Sequence, residues 1–300
     1  VAPEWVAADP ITGVAAAPHR HPRLPPPPQI YGSRRATARG LDLSIAAERA
    51  PLAAAVKAQH VQGPVTAASI VDGVALESSE IQSIRNPAQL DHIIGHARLA
   101  TPSDVARAVE SAQAAYPAWN ARGGVARAAI LRKAADALEA QMDRFVVLLA
   151  REAGRTLQDG IDEVREAVDF LRYYAAEAEK HFAMPQRLPG PAGETNHLEL
   201  AGRGVCACIS PWNFPLAIFL GQVAAALAAG NAVVAKPAEQ TPIVAHDAVQ
   251  LLHQAGVPHG VLHLVLGGGR IGAALTAHTQ IAGVAFTGST EVAQIINRTL

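Results

Sequence analysis

The sequence has little cysteine, no excess of either charge and no export signal at its start. Its 2 cysteines in 300 residues, Cys206 and Cys208, stand two apart in a strand-like run, where they are poorly placed to bridge each other. A disulfide-held secreted scaffold is thereby excluded, and a reducing, cytoplasmic setting is expected. Basic and acidic side chains number 25 and 26, so net charge gives no sign of nucleic acid or an anionic membrane as partner. The chain opens on Val1-Ala-Pro-Glu-Trp5, with neither a basic n-region nor an apolar h-region, and is expected to begin inside a longer protein. One uncharged stretch, 215–235, is long enough to invite a membrane reading. Gln222 and the Gly230-Asn231 break predict instead a buried helix followed by a buried strand, with no membrane span.

What is present is apolar: 50% of the residues are hydrophobic, enough for a substantial core in one large domain with a tail, or in two domains. Residues 1–40 carry Pro18, Pro22 and the run Pro25-Pro-Pro-Pro28 among scattered Arg and His, a composition that favours extended backbone. A connector or arm is expected over 1–84, with one short helix over 46–59 and no firm assignment for 61–76. A domain is expected to begin near residue 85, with a strand at 93–100 and helix-start chemistry in Thr101-Pro-Ser-Asp104. Apolar residues at helical spacing then predict helices over 103–115, 124–153 and 156–182, the middle one broken near 141–143. Glu152, Glu163 and Glu166 are read as solvated or ion-paired helix surface rather than catalytic carboxylates. Tyr116 and Trp119 are read as packing. Prolines between 181 and 191 close the helical part, and an extended segment follows at 194–201.

From Gly202 the rhythm changes to strand then helix, four times over. Strands are expected at 204–210, 232–235, 261–266 and 283–286, with helices near 215–229, 242–255, 271–278 and 290–299. The fold class that follows is α/β: an open parallel Rossmann-like sheet with helices on both faces, preceded by a helical segment and a Pro-rich arm. Ligands in such sheets bind beyond the C-terminal strand ends. The loops there read Pro211-Trp-Asn-Phe-Pro215, Lys236-Pro-Ala-Glu239, Gly267-Gly-Gly-Arg-Ile-Gly272 and Thr287-Gly-Ser-Thr290. They offer an amide, a cation beside a carboxylate, a glycine turn and a helix-start hydroxyl, a set that fits a dinucleotide. Lys236 and Glu239 suit ribose hydroxyls, and the carboxylate repels a 2′-phosphate, so NAD rather than NADP is expected. Gly268, Gly269 and Gly272 permit close backbone approach, and Ser289 suits a phosphate. Each feature has a plainer reading: a simple turn, a surface lysine, a helix cap, an Asx bond from Asn213 to its own backbone. Their arrival at four successive strand ends favours the site.

Ile209-Ser-Pro-Trp-Asn-Phe-Pro215, Lys236-Pro-Ala-Glu-Gln-Thr-Pro242 and Phe286-Thr-Gly-Ser-Thr290 resemble the N-terminal half of the aldehyde dehydrogenase superfamily. The likeness covers about residues 85–300, and Glu152-Ala-Gly-Arg155 is similar to that family's Glu-x-Gly-Lys helix start. Upstream, Pro27-Pro-Gln-Ile-Tyr-Gly-Ser-Arg-Arg35 with Gly40-Leu-Asp-Leu43 resembles the connector of the bifunctional proline utilization A family. That connector lies between a proline dehydrogenase barrel and an L-glutamate γ-semialdehyde (pyrroline-5-carboxylate) dehydrogenase domain. The resemblance implies NAD-dependent oxidation of this aldehyde to glutamate in proline catabolism: a cysteine thiolate attacks, hydride passes to NAD, and water releases the acid. It makes Asn213 the oxyanion donor. It assigns Ile209, Ser210, Pro211 and Trp212 to the cofactor pocket and Lys236 and Glu239 to the adenosine ribose. Phe286, Thr287, Gly288 and Ser289 fall to the turn near the pyrophosphate and nicotinamide. It further implies FAD in a proline dehydrogenase domain upstream of this chain, and a homo-oligomer; no metal site is expected.

The glycine segment departs from the family's Pro-Gly-x-Gly-x-x-x-Gly, since Leu266 precedes Gly267 and either a residue is missing between Gly269 and Gly272 or the first glycine is replaced; this leaves open which glycines of 267–272 meet the cofactor. The family's nucleophilic cysteine and general-base glutamate fall beyond residue 300. Cys206 and Cys208 are read as buried fillers, and residues 1–300 alone are expected to be inactive. Two other readings stay open: a different NAD-dependent aldehyde dehydrogenase behind an unrelated Pro-rich tail, and a non-catalytic interaction module.

Overall fold

In the computed structural model, which describes residues 2–7, 9–16, 23–61, 64–78 and 80–300, the chain divides between Thr37 and Ala38 into two units. The first holds two short helices that start at prolines, α1 (Pro3–Val6) and α2 (Pro10–Ala16), and a 3-10 turn, Pro27–Gln29. Proline is tolerated there because a first-turn N–H has no helical partner to lose. Asp9 caps α2 by accepting from the N–H groups of Ile11 and Thr12 at 3.1 and 3.2 Å. The expectation of extended backbone over 1–40 therefore fails at these turns, although Pro26 is extended, with φ −63° and ψ 155°. Pro18 and Pro22 lie outside the described residues.

The second unit starts well upstream of the expected boundary near 85, because residues 38–84 find partners within it. The Ala38 N–H donates to Asp169 at 2.9 Å, and Leu52 of α3 (Ala46–Val61) is buried. Three short strands follow: β1 (Val65–Ala68), β2 (Ile70–Val71) and β3 (Val74–Ala75). The last two form a hairpin around Asp72 and Gly73, at φ 54° and 74°, the positive-φ pair that an Asp-Gly turn supplies. β4 (Ile81–Asn86) and β5 (Gln89–Arg98) pair antiparallel, with β1 parallel to β5.

The helical layer comes next. α4 (Pro102–Ala121) begins at the capping box of Thr101 and Asp104 and continues through Pro117, past its expected end at 115. α5 (Gly124–Ala140) and α6 (Met142–Glu152) separate at Gln141, where the break was expected. α7 (Leu157–Phe182) is capped by Thr156, whose hydroxyl accepts from the Asp159 N–H. β6 (Gln186–Leu188) and β7 (Asn196–Leu198) make a separate hairpin.

The alternating part then runs β8 (Val205–Ile209), α8 (Ala217–Ala228), β9 (Ala232–Lys236), α9 (Pro242–Ala255), β10 (Leu262–Leu264), α10 (Gly269–Thr276), β11 (Ile281–Phe286) and α11 (Thr290–Thr299). The sheet order is β11-β8-β9-β10-β2-β3, with the first four strands parallel and β2 and β3 antiparallel at the edge. This is the open Rossmann-like sheet that the sequence implied. The chain steps outward from β8 to β10 and then returns to lay β11 on the other side of β8. Strand order therefore reverses between β8 and β11, and a crevice opens at such a reversal. Register brings Phe286, Ile209 and Lys236 side by side, so three strands end in line. The uncharged stretch 215–235 is the buried helix α8 followed by the buried strand β9. No helix among the described residues is long and apolar enough to cross a membrane.

Candidate active site

The four loops meet at the ends of β8, β9, β10 and β11. Backbone bonds beyond the strand ends hold them together: Ser210 N–H to the Lys236 carbonyl (3.2 Å), Val265 N–H to Ala235 (2.9 Å) and Thr287 N–H to Ile209 (3.1 Å). In the turn after β8, Asn213 is exposed and its side-chain amide makes no hydrogen bond among the described residues. The Asx bond that would have made it a turn former is absent. Trp212 and Phe214 flank it at 56% and 36% exposure, and Pro211 is half-buried. Ser210 is buried and its Oγ has no partner; the same holds for Thr241 Oγ1 in the loop after β9. A buried hydroxyl without a partner costs about 1–3 kcal/mol, so these two groups suit a polar ligand at the strand ends.

Lys236, read most plainly as a surface lysine, is only 5% exposed. Its ammonium donates to the Pro237 carbonyl at 2.9 Å. Burial pushes its pKa down, and the Glu239 carboxylate works in the opposite direction. Glu239 is half-buried, and its main-chain carbonyl accepts from Gln82 Nε2 at 2.9 Å. At the end of β10, Gly267 has φ 149°, and a Cβ there would stand 2.5 Å from Ile271 Cγ1. No other residue fits that corner. Gly268 and Gly269 open α10, two residues earlier than expected, and a Cβ on either would meet nothing within 4 Å. One on Gly272 would lie 3.4 Å from Lys236 Cε. The first pair thus faces open space, while Gly272 makes room for the lysine arm.

Ser289 caps α11, its Oγ accepting from the Val292 N–H at 3.3 Å. Thr287 Oγ1 accepts from Gln222 Nε2 at 3.0 Å, tying α8 to the loop after β11. The Phe286 ring lies against Gly288, where a Cβ would come within 2.5 Å.

Two residues missed by the sequence reading hold this arrangement from below. Glu163, read as solvated or ion-paired helix surface, is ion-paired with Arg155 but buried on α7 rather than at the surface. Its Oε1 accepts from the N–H groups of Leu216 (2.9 Å) and Ala217 (3.3 Å), and its Oε2 from Arg155 Nε at 2.9 Å. Glu152 is also buried and accepts from the N–H groups of Ile243 (2.7 Å) and Val244 (2.9 Å). Each carboxylate sits at the start of the helix that follows a crevice loop, the end of a helix that favours negative charge. Burial raises the pKa of both, that of Glu152 to about 8. Only Glu166 is exposed as expected. For Glu163 the sequence signal was Leu216, a residue that cannot cap α8; for Glu152 there was none, because Thr241-Pro242 looks like a capped start although Thr241 makes no capping bond. Trp119 and Tyr116 are packing residues that bond the Leu227 and Gly202 carbonyls at 3.1 and 2.5 Å.

Both cysteines are free. Two apart on β8, they share one side of the strand. Cys208 is buried, and Cys206 lines a groove of about 550 Å³ with Phe170, Tyr174, Gln222, Val284 and Thr287. Burial pushes both thiols up, opposite to what an attacking thiolate requires. Among the described residues no group of three His, Cys, Asp or Glu could hold a metal ion.

Fold and crevice together define the class: a Rossmann-like α/β domain with a crevice at the switch point of its parallel strands. The aldehyde dehydrogenase family model matches residues 74–300, and the chain belongs to that family. It is 43% identical over 303 residues to the bifunctional protein PutA of Escherichia coli (strain K12), a match covering 98% of this chain and 22% of that one. It is 36% identical over 226 residues to the 1-pyrroline-5-carboxylate dehydrogenase of Bacillus subtilis (strain 168), covering 74% of this chain and 43% of the relative. A crystal structure of bifunctional proline utilization A (PutA) superposes with a TM-score of 0.80 at 47% identity, over 93% of this chain and 25% of that one. The chain therefore spans about a fifth of the length of the PutA relatives it matches.

Proposed function

We propose that residues 1–300 form the cofactor-binding part of an NAD-dependent L-glutamate γ-semialdehyde dehydrogenase acting in proline catabolism. The observation that carries this is the exposed, unbonded amide of Asn213 in the turn after β8, the strand that ends next to β11 across the switch point. Aimed at the aldehyde oxygen, its N–H would donate as negative charge develops there. When bound, NAD supplies the hydride acceptor. Ile209, Ser210, Pro211 and Trp212 would hold it from β8, and Phe286, Thr287, Gly288 and Ser289 from β11. Lys236 and Glu239 would take the adenosine ribose, with backbone approach at Gly268 and Gly269 and room for the lysine arm at Gly272. The partnerless hydroxyls of Ser210 and Thr241 and the open edge at Gly268 and Gly269 support this fit. Glu239 places negative charge where a 2′-phosphate would lie, which favours NAD over NADP.

We assign the nucleophile to a segment other than residues 1–300; Cys206 and Cys208, within β8 and with raised pKa values, do not suit the role. The aldehyde is inferred from the 1-pyrroline-5-carboxylate dehydrogenase relatives. The bifunctional PutA relatives suggest a parent chain with an FAD-bearing proline dehydrogenase domain, working as a homo-oligomer in the cytoplasm.

In the complete gene product, Asn213→Ala should lower kcat by about 10²–10³-fold while leaving NAD affinity intact. An unchanged kcat would overturn the assignment. Residues 1–300 expressed alone should be protected against thermal unfolding by millimolar NAD, yet form no NADH from the aldehyde.

A further inference from the structure

The geometry points to Glu163 and Arg155 as positioning residues for the Asn213 turn, an inference that rests on the oxyanion role given to Asn213 above. The amide of Asn213 has no bond of its own, so its direction is set by the backbone that carries it. That backbone is gripped twice on its downstream side. Glu163 Oε1 takes the N–H groups of Leu216 and Ala217 at 2.9 and 3.3 Å, which fixes where the turn passes into α8. No side chain of the turn does this job, for Leu216 stands at the helix start without a capping bond. The second grip runs through Arg155. Its Nε donates to Glu163 Oε2 at 2.9 Å, and its guanidinium carbon lies 4.2 Å from the centroid of the Phe214 ring, a cation–π contact to the residue next to Asn213.

Neither residue is expected to touch a reacting atom. A shift of about 1 Å in a reacting group can nevertheless cost about 10²-fold in rate, so loosening either grip should appear in kcat. Glu152 provides an internal comparison. It makes the same kind of contact at the start of α9, after the Lys236 and Glu239 loop, so its loss should appear in NAD affinity instead. A general loss of packing would not separate the two parameters in this way.

The test is steady-state kinetics on the complete gene product. In Glu163→Gln the side chain keeps its size, but its NH2 must face either the Leu216 N–H or Arg155, donor against donor. The expected result is a fall in kcat of about 10- to 100-fold with a clearly smaller rise in the KM for NAD, because the NAD-facing residues 209–212 lie on the upstream side of the turn. Arg155→Met should lower kcat in the same direction, Arg155→Lys should restore part of it, and Glu152→Gln should raise the KM for NAD with little change in kcat. Should Glu163→Gln fail to fold, Arg155→Met carries the test, because Arg155 is half-buried. Wild-type kcat in the folded variants while Asn213→Ala still loses activity overturns the inference alone. Equal losses of kcat and NAD affinity in Glu163→Gln also overturn it, by assigning a structural role. An Asn213→Ala enzyme with wild-type kcat removes the oxyanion assignment, and this inference with it.

Discussion

Replacing Glu152 with glutamine should change how stability depends on pH. Burial raises the Glu152 carboxyl from 4.5 to about 8, the nearby Asp247 adds to that rise, and the N–H groups of Ile243 and Val244 oppose it. A folded pKa above the unfolded one means that the native state keeps a proton which the unfolded chain gives up. The contribution is therefore complete below pH 4.5 and declines as pH rises toward 8. A separation of about 3.5 at about 1.36 kcal/mol per pKa unit amounts to roughly 5 kcal/mol in all. Roughly 3–4 kcal/mol of this is lost between pH 5 and 8. The amide in the Glu152→Gln variant never ionises and adds no slope, and subtracting that variant's curve cancels the titrating groups that do not interact with Glu152, leaving Glu152 together with its coupling to Asp247. Urea unfolding of both proteins across pH 5–9 gives the comparison. The wild-type advantage over Glu152→Gln should shrink by roughly 3–4 kcal/mol from pH 5 to 8 and then level off. A difference that grows with pH would refute the reasoning, because it would mean that the helix start holds an ionised carboxylate in spite of burial.

Two further substitutions probe the scaffold. Arg127 is buried, with Nε donating to the Ala228 carbonyl (3.0 Å) and Nη1 to the Asn120 carbonyl (2.8 Å); Arg127→Met should cost about 2–5 kcal/mol by emptying a packed site and leaving the Ala228 carbonyl without its donor, while the Asn120 carbonyl keeps the Gly123 N–H at 3.3 Å, read as a lower urea midpoint at unchanged slope. Gly267→Ala places a Cβ 2.5 Å from Ile271 Cγ1 at φ 149°; it should destabilise by more than about 1 kcal/mol and reduce the protection by NAD, with both read from thermal unfolding.

The alternation of strand and helix after Gly202 was legible because each strand is short, apolar and closed by Gly, Pro or Lys-Pro punctuation. The hairpin at Asp72 and Gly73 was not, since its strands are two residues long each and a period of two cannot show in so short a run. α4 outran its expected end because Pro117 takes one bond from the helix without stopping it. The placement of the four crevice loops at strand ends was legible from their local composition. Glu163 and Glu152 were not, because their partners lie 53 and 91 residues away, a spacing that only the assembled fold brings together. Of the two helix starts they hold, only that of α8, at Leu216, lacks a capping side chain in the sequence itself; Thr241-Pro242 reads as a capped start, and its missing bond shows only in the fold.

Those uncapped starts bear on how the crevice is held. α8 has no charged residue, yet a carboxylate from α7 sits at its first N–H groups and a guanidinium from α5 at its last carbonyl, that of Ala228. Each charge opposes the partial charge of the helix end it meets, and each bonds backbone groups that would otherwise stay unpaired in the interior. A buried ion pair between side chains can often be exchanged for apolar residues without loss, because both partners leave together. Here one partner is the backbone of α8, which no substitution removes. Exchanging Glu163 or Arg127 for an apolar residue therefore leaves orphaned N–H or C=O groups at one end of a helix whose two ends adjoin the Asn213 turn and β9. The helical layer and the crevice are thus one electrostatic unit, and a change in the former is expected to register in the latter.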